Sequence, residues 1–365
     1  MTVASRRAVL GLIGTSAFAA PEPGGLRRLE RFIADRAGQD LFSGTVLVAH
    51  RGRPVLQRSY GMADKEKSLP NGRDTVFDLA SITKCCTGVA IAQLAQQGKL
   101  AFHEKLGAYL DGFPTGIGDT VTVHQLLTHT SGVGRPPIGS GPPDGPWDTI
   151  ESFWDGTAQL IRGLPRRFVP GTRYAYSNDG YFVLGEIVAA VSGQSYYDYV
   201  RRSIFAPAGM TRAHFPTRPQ MRADPAIARP YATRPSGGRA DVSDSPYFPF
   251  VGSPARGAYC TAADLLAFQR ALRDGTLLDP AYAGLITGGK MVLPPEERPD
   301  VTRQSMFYGY GFLSTIVDGR TVTGHSGSGP GAANNLDLFA DRVAVILGNY
   351  DTTVTPIVEQ ARRLL

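Results

Sequence analysis

The chain is short of cysteine and of lysine, and each shortage narrows what it can be. Three cysteines in 365 residues, Cys85, Cys86 and Cys260, make neither a disulfide framework nor a zinc ligand set. Cys85 and Cys86 are neighbours on a helical pattern, where adjacent side chains diverge by about 100°, so a bridge between them would strain the backbone. Buried free thiols are expected instead. Only six lysines accompany 32 arginines, and the net charge of +6 is spread along the chain without a basic block or a basic and aromatic patch. That excludes nucleic acid as the expected partner. There is no G-x-S-x-G nucleophile elbow of the α/β-hydrolase kind and no H-E-x-x-H zinc motif, His124 and His129 being five apart. No cofactor and no metal is called for.

What is present suits a soluble enzyme. Hydrophobic residues make up 42% and charged residues 19%, and 43 glycines with 27 prolines point to many tight turns. The first twenty residues stand apart. Ser5-Arg6-Arg7-Ala8-Val9-Leu10 opens an apolar stretch too short to span a bilayer, and Ala17-Phe18-Ala19 has the form of a cleavage site. Residues 1–19 therefore read as a twin-arginine export signal, whose removal takes Arg6 and Arg7 and lowers the charge from +6 to +4. No cysteine follows for lipid anchoring, and no integral membrane segment is expected in the mature chain. A periplasmic or secreted protein is expected.

Gly25 to Ile33 has helical apolar spacing. Gly44–His50 and Pro54–Tyr60 read as a hairpin closed around Arg51-Gly52-Arg53, and Tyr308–Val317, Arg320–Gly324, Ala332–Phe339 and Arg342–Leu347 read as further strands. A closing helix runs from Pro356 to Leu364. These pieces predict one antiparallel sheet built from residues 20–80 and 276–365, with helices outside it. Residues 81–275 read as a mainly helical lobe, with Thr83–Gln97 stopped by Gly98, a short segment Val123–Leu127, a helix over Tyr181–Val191, and Thr261 as the N-cap of Leu265–Leu272. The seam between the two lobes is where a small-molecule site is expected.

Ser81-Ile82-Thr83-Lys84 stands at that seam, where a strand-like run, Val76–Ala80, meets the first long helix of the second lobe. Residues i and i+3 of a helix share a face, so the Ser81 hydroxyl can meet the Lys84 amine. A desolvated, neutral amine can take the hydroxyl proton and activate Ser81 as a nucleophile. Taken alone the tetrapeptide is a weak signal. Tyr176-Ser177-Asn178 lies in a loop bounded by Pro170-Gly171 and Asp179-Gly180, where Tyr176 can relay a proton and the Asn178 amide can hold an acyl group. Gly324-His325-Ser326-Gly327-Ser328-Gly329 ends a predicted strand, and its glycines let backbone N–H groups approach a developing oxyanion.

In this order the three segments resemble the S-x-x-K, Y-x-N and K/H-x-G motifs of the serine hydrolase superfamily of class C β-lactamases, penicillin-binding proteins and D-alanyl-D-alanine carboxypeptidases. Val121 to Gly132, Pro170-Gly171 and Cys260-Thr261-Ala262-Ala263-Asp264-Leu265 are similar to the same family, which usually has serine at the Cys260 position. The resemblance covers essentially the whole mature chain. It implies an α+β fold of the β-lactamase/transpeptidase type, an antiparallel sheet flanked by terminal helices with an inserted mainly helical lobe. It also implies an acyl-enzyme mechanism. Ser81 is the implied nucleophile, Lys84 its proton acceptor and Tyr176 the relay to the leaving group, and His325 joins them as an implied catalytic residue. The Ser81 and Ser328 N–H groups are the implied oxyanion hole, Asn178 orients the acyl amide, and Ser326 and Gly327 are substrate-binding.

One departure bears on substrate. His325 and not lysine begins the third motif, as also occurs in the carboxypeptidase and aminopeptidase branches of the family. A lysine there would face the carboxylate of β-lactams and D-alanyl peptides, whereas histidine is mostly neutral at pH 7. The expected activity is therefore that of an esterase or a D-amino-acid-specific, carboxypeptidase-like peptidase on a small-molecule or short-peptide substrate. A β-lactamase, a penicillin-recognising sensor without turnover, and an acyltransferase are the alternatives.

Overall fold

The computed structural model describes residues 23–135, 147–245, 248–294 and 305–364. The predicted export signal lies outside the described residues. Eight strands form one sheet: β1 (Gly44–His50), β2 (Arg53–Tyr60), β3 (Met291–Val292), β4 (Ser305–Tyr308), β5 (Leu313–Val317), β6 (Arg320–Gly329), β7 (Ala332–Leu338) and β8 (Arg342–Gly348). Their order is β2-β1-β8-β7-β6-β5-β4-β3, and every pair is antiparallel. The first hairpin turns tightly because Arg51 and Gly52 both take positive φ, 49° and 74°, as a two-residue type I′ turn demands. The early hairpin joins the late strands through β1 and β8, in register from Gly44↔Gly348 to His50↔Arg342.

Alternation along these strands feeds two cores. Val46, Val48, Ala344 and Ile346 face Leu29 and Ile33 of the helix α1 (Pro23–Gly38) and Ile357, Val358 and Ala361 of the last helix (Thr355–Leu364). Leu47, Ala49, Val343, Val345 and Leu347 point the other way, into the larger core shared with the helices between the strand groups. Of those, α2 (Thr83–Gln96) is apolar on nearly every side and is buried along almost its whole length. Next, α3 (Asn178–Ser192) is capped by the Ser177 hydroxyl on Gly180 N–H and ends on Gly193 at φ 68°. Then α4 (Ala262–Arg273) starts from a capping box between Thr261 and Asp264, and Thr355–Leu364 is α5.

Two strand boundaries differ from the sequence reading. Tyr308–Val317 is not one strand, because Gly309–Phe312 leave the ladder to pack on α2. A Cβ on Gly311 would stand 2.3 Å from the Lys84 carbonyl oxygen, and one on Gly88 would stand 2.1 Å from that of Tyr310. The strand read as Arg320–Gly324 continues to Gly329, since Thr323 to Gly329 pair without a break with Leu338 to Ala332. His325 thus sits inside a strand and not in a turn.

Candidate active site

The Ser81 turn is held in a shape its sequence would not choose unaided. Phe77–Asp78 pairs with Tyr259–Cys260, after which Ala80 adopts φ 46°, a left-handed conformation that costs a residue with a Cβ roughly 1–2 kcal/mol. The surroundings over-determine it. Ala80 N–H donates to Asp78 Oδ1 at 2.7 Å, Thr83 Oγ1 donates to Ala80 O at 2.7 Å, and Asn334 Nδ2 donates to Asp78 O at 2.8 Å. The turn, Ala80–Ile82, runs straight into α2 and leaves Ser81 half-buried.

Lys84, one helical turn on, is fully buried. Its Nζ lies 2.7 Å from Asn178 Oδ1, 2.7 Å from Ala255 O and 3.3 Å from Ser81 Oγ. Burial, with a smaller push from the Arg256 guanidinium, holds the amine well below its usual pKa. The Tyr176 and Tyr181 rings, 4.7 and 5.5 Å from Nζ, pull the other way. A cation over a ring is worth at most about 2 kcal/mol, less than an ammonium loses when it is buried without a carboxylate partner. The neutral amine fits its surroundings: two N–H groups go to the two carbonyl oxygens, and the lone pair is left for the Ser81 hydroxyl.

Tyr176 completes the contact, its hydroxyl 2.9 Å from Ser81 Oγ. Its loop is clamped by His129, a residue to which the sequence reading assigned no role. Ala175 N–H donates to His129 O at 2.9 Å, Ser177 N–H donates to His129 Nδ1 at 3.1 Å, and the imidazole lies against the Tyr176 ring at 4.4 Å. His129 is itself at φ 58° and is buried, which pushes its pKa well down and leaves a neutral ring with the proton on Nε2. Asp179, after Asn178, accepts from the Arg135 side chain through both carboxylate oxygens, at 3.1 and 2.9 Å. Since Asn178 Oδ1 faces Lys84, its NH2 group is free to turn toward a ligand.

The third segment forms the wall beside Ser81. The hairpin turns Asp318-Gly319 and Pro330-Gly331 each span two residues, so Arg320 and Gly329 belong to hydrogen-bonded pairs with opposite neighbours. Continuing the alternation, Ser326 and Ser328 direct their N–H and C=O groups away from β7. Pairing with β5 ends at Gly324, so among the described residues that side of the strand is unpaired. Gly327 lets the strand come close: a Cβ there would stand 2.4 Å from Leu79 O and 3.2 Å from Ser81 N. The strand thereby brings the residue after Gly327, Ser328, alongside the Ser81 turn. The Ser326 and Ser328 side chains lie on the opposite face, in a cavity of about 350 Å³ against α5.

His325 is buried one layer behind Ser81. Its Nδ1 is 2.5 Å from Ser326 O and its Nε2 3.0 Å from Tyr308 OH, so Nδ1 carries the proton and the tyrosine donates to Nε2. Burial pushes its pKa down to about 3. The structure thus brings Ser81, Lys84, Tyr176 and Asn178 into mutual contact and sets His325 behind them as a neutral ring. Ala255 and Arg256 were also missed by the sequence reading, and the Ser253-Pro254-Ala255-Arg256-Gly257 turn was the available signal. The three cysteines are free and buried, Cys86 with its pKa raised by burial to about 12, so none is a thiolate nucleophile.

The sequence model described as Beta-lactamase matches residues 29–365, and the chain belongs to that family of hydrolases. PbpX of Bacillus subtilis (strain 168), named as a penicillin-binding protein, is 34% identical over 253 residues, 68% of this chain and 59% of that protein. The chain thus spans less than two thirds of that relative. The crystal structure of a penicillin binding protein from Bacillus halodurans superposes with a TM-score of 0.78 at 27% identity, covering 91% of this chain and 98% of that one. D-amino acid amidase from Ochrobactrum anthropi SV3, complexed with L-phenylalanine amide, gives 0.74 at 22% identity over 93% and 98%, a likeness of fold.

Proposed function

We propose that this chain is a serine hydrolase that works through an acyl-enzyme on ester or amide bonds, as an esterase or a D-amino-acid-specific peptidase. One observation carries the reading: Ser81 Oγ lies between Tyr176 OH at 2.9 Å and the buried Lys84 Nζ at 3.3 Å. In the proposed sequence Ser81 attacks the carbonyl carbon while its proton passes to Lys84. The oxyanion forms between the Ser81 and Ser328 N–H groups, where one donor is worth about 2.7–4 kcal/mol. Tyr176 relays that proton from Lys84 to the leaving oxygen or nitrogen as its bond to the carbonyl carbon breaks. Water then attacks the acyl carbon, giving up a proton through the same groups, and Ser81 Oγ leaves with that proton as the acid is released. Lys84 can serve as base because, among the described residues, no carboxylate pairs with it to hold it as an ammonium.

A neutral His325 offers no fixed charge to a leaving-group carboxylate, which favours small acyl esters over β-lactams. Parallel turnover assays with a p-nitrophenyl ester, a D-alanyl-D-alanine peptide and a penicillin test this. Ester or peptide turnover is expected. Rapid penicillin hydrolysis would put the protein among β-lactamases, and penicillin acylation without product would make it a sensor.

A further inference from the structure

Positions on one face of a strand recur every second residue, about 6.8 Å apart. On the face of β6 that meets Ser81, Gly327 touches the Ser81 turn, His325 lies one step to one side and Gly329 one step to the other. His325 brings no charge. At Gly329 the Arg256 guanidinium stands 3.6 Å from where a Cβ would be.

This guanidinium is partly exposed and, among the described residues, takes part in no ion pair or side-chain hydrogen bond. The groups that feel its charge are Lys84, whose pKa it helps to lower, the buried Tyr259 hydroxyl, and Asp78, whose Oδ1 is occupied by Ala80 N–H. The loop that bears it is rigid. Ser253 and Arg256 exchange backbone hydrogen bonds at 2.7 and 3.1 Å, Pro254 O accepts from Thr87 Oγ1 at 2.6 Å, and Ala255 O accepts from Lys84. A guanidinium without a hydrogen-bond partner among the described residues, carried on a rigid loop about two residues from the reacting carbonyl, suits a carboxylate.

Its position decides which part of the substrate it meets. A lysine at position 325 would face a carboxylate on the leaving side of the scissile bond, as in D-alanyl peptides and β-lactams. Arg256 lies beyond Ser81 in the opposite direction, on the acyl side. We propose that Arg256 is a specificity residue that holds a carboxylate on the acyl portion of the substrate, favouring acyl groups that end in an acid some 6–7 Å from the scissile carbonyl. This inference rests on the acyl-enzyme reading above.

Mono-p-nitrophenyl adipate has an acid at about that reach, and its methyl ester is the neutral counterpart. The expected result is a wild-type preference in kcat/KM for the acid. Arg256→Gln should reduce that ratio by roughly ten- to a hundredfold, the scale of a hydrogen bond to a charged group, and Arg256→Lys should keep part of it. A residue that only supports the loop or tunes Lys84 changes both esters alike and leaves the ratio fixed, which would overturn the proposal. The hexanoate ester of 4-hydroxybenzoate places the acid on the leaving group instead. A ratio lost only for that ester would overturn the acyl-side assignment. If neither adipate acylates Ser81 by intact-mass analysis, the serine hydrolase reading fails and the anchor with it. Acylation of Ser81 by both at equal rates sinks the anchor alone.

Discussion

Lys84 Nζ donates to Asn178 Oδ1 at 2.7 Å, and this contact settles both partners. It turns the amide NH2 group of Asn178 outward and, with the Ala255 carbonyl, uses up the hydrogens of a neutral amine so that its lone pair faces Ser81. Lys84→Ala should therefore cost on the order of a hundredfold or more in kcat, the usual scale of general-base loss, with the protein still folded by circular dichroism. An activity within threefold of wild type would remove Lys84 from the mechanism.

The pH dependence of the rate should carry the signature of a depressed amine. Only neutral Lys84 accepts the Ser81 proton, so kcat/KM should rise with pH through the lowered pKa of Lys84 and level off well below the usual lysine range. Arg256 helps push that pKa down, so Arg256→Gln should move the rising limb to higher pH on a neutral ester. A limb that stays put would show that burial alone sets it.

Stability should fall in mild acid. His129 and His325 are buried neutral, with pKa values held below the ordinary 6.5, that of His325 at about 3. Each folded pKa is depressed, so the unfolded chain binds these protons first. Their stabilising contribution is complete above pH 6.5 and is lost as pH falls toward the folded values. Urea denaturation between pH 7.5 and 5 should show a decline of up to about 1.4 kcal/mol per pH unit for each histidine, and His325→Gln should flatten it. An unchanged slope in that variant would mean His325 is already protonated in the folded state.

Gly327→Ala tests the closeness of β6 to the Ser81 turn. Its methyl group would meet Leu79 O at 2.4 Å and Ala80 Cβ at 3.1 Å, both on rigid elements, so the strand must move away from Ser81. Loss of the Ser328 N–H from the proposed oxyanion position should lower kcat by about a hundredfold or more. Undiminished kcat would show that the oxyanion is held elsewhere.

Much of this was legible in the sequence, for physical reasons. Strand alternation, the Asp318-Gly319 turn and the Thr261 cap are local signals, and the structure keeps them because its long-range packing agrees with them. Ser81 and Lys84 were legible because helix geometry alone puts i and i+3 together. Ala255 and Arg256 were not, since their part depends on a loop folding back 171 residues from Lys84. His129 was seen only within a family-like stretch, and its clamp on the Tyr176 loop arises from contacts of its carbonyl and ring with residues 46 and 48 positions on, which no local residue pattern encodes. His325 was legible as part of a motif, but its burial and its contact with Tyr308, which decide its charge, were not.

The most direct test of the central claim is to find the acyl group. Wild-type protein mixed with a p-nitrophenyl ester and quenched in acid should gain the acyl mass, located by peptide mapping on the segment that holds Ser81, and Ser81→Ala should show neither adduct nor turnover. An adduct on another residue, or undiminished hydrolysis by Ser81→Ala, would contradict the account.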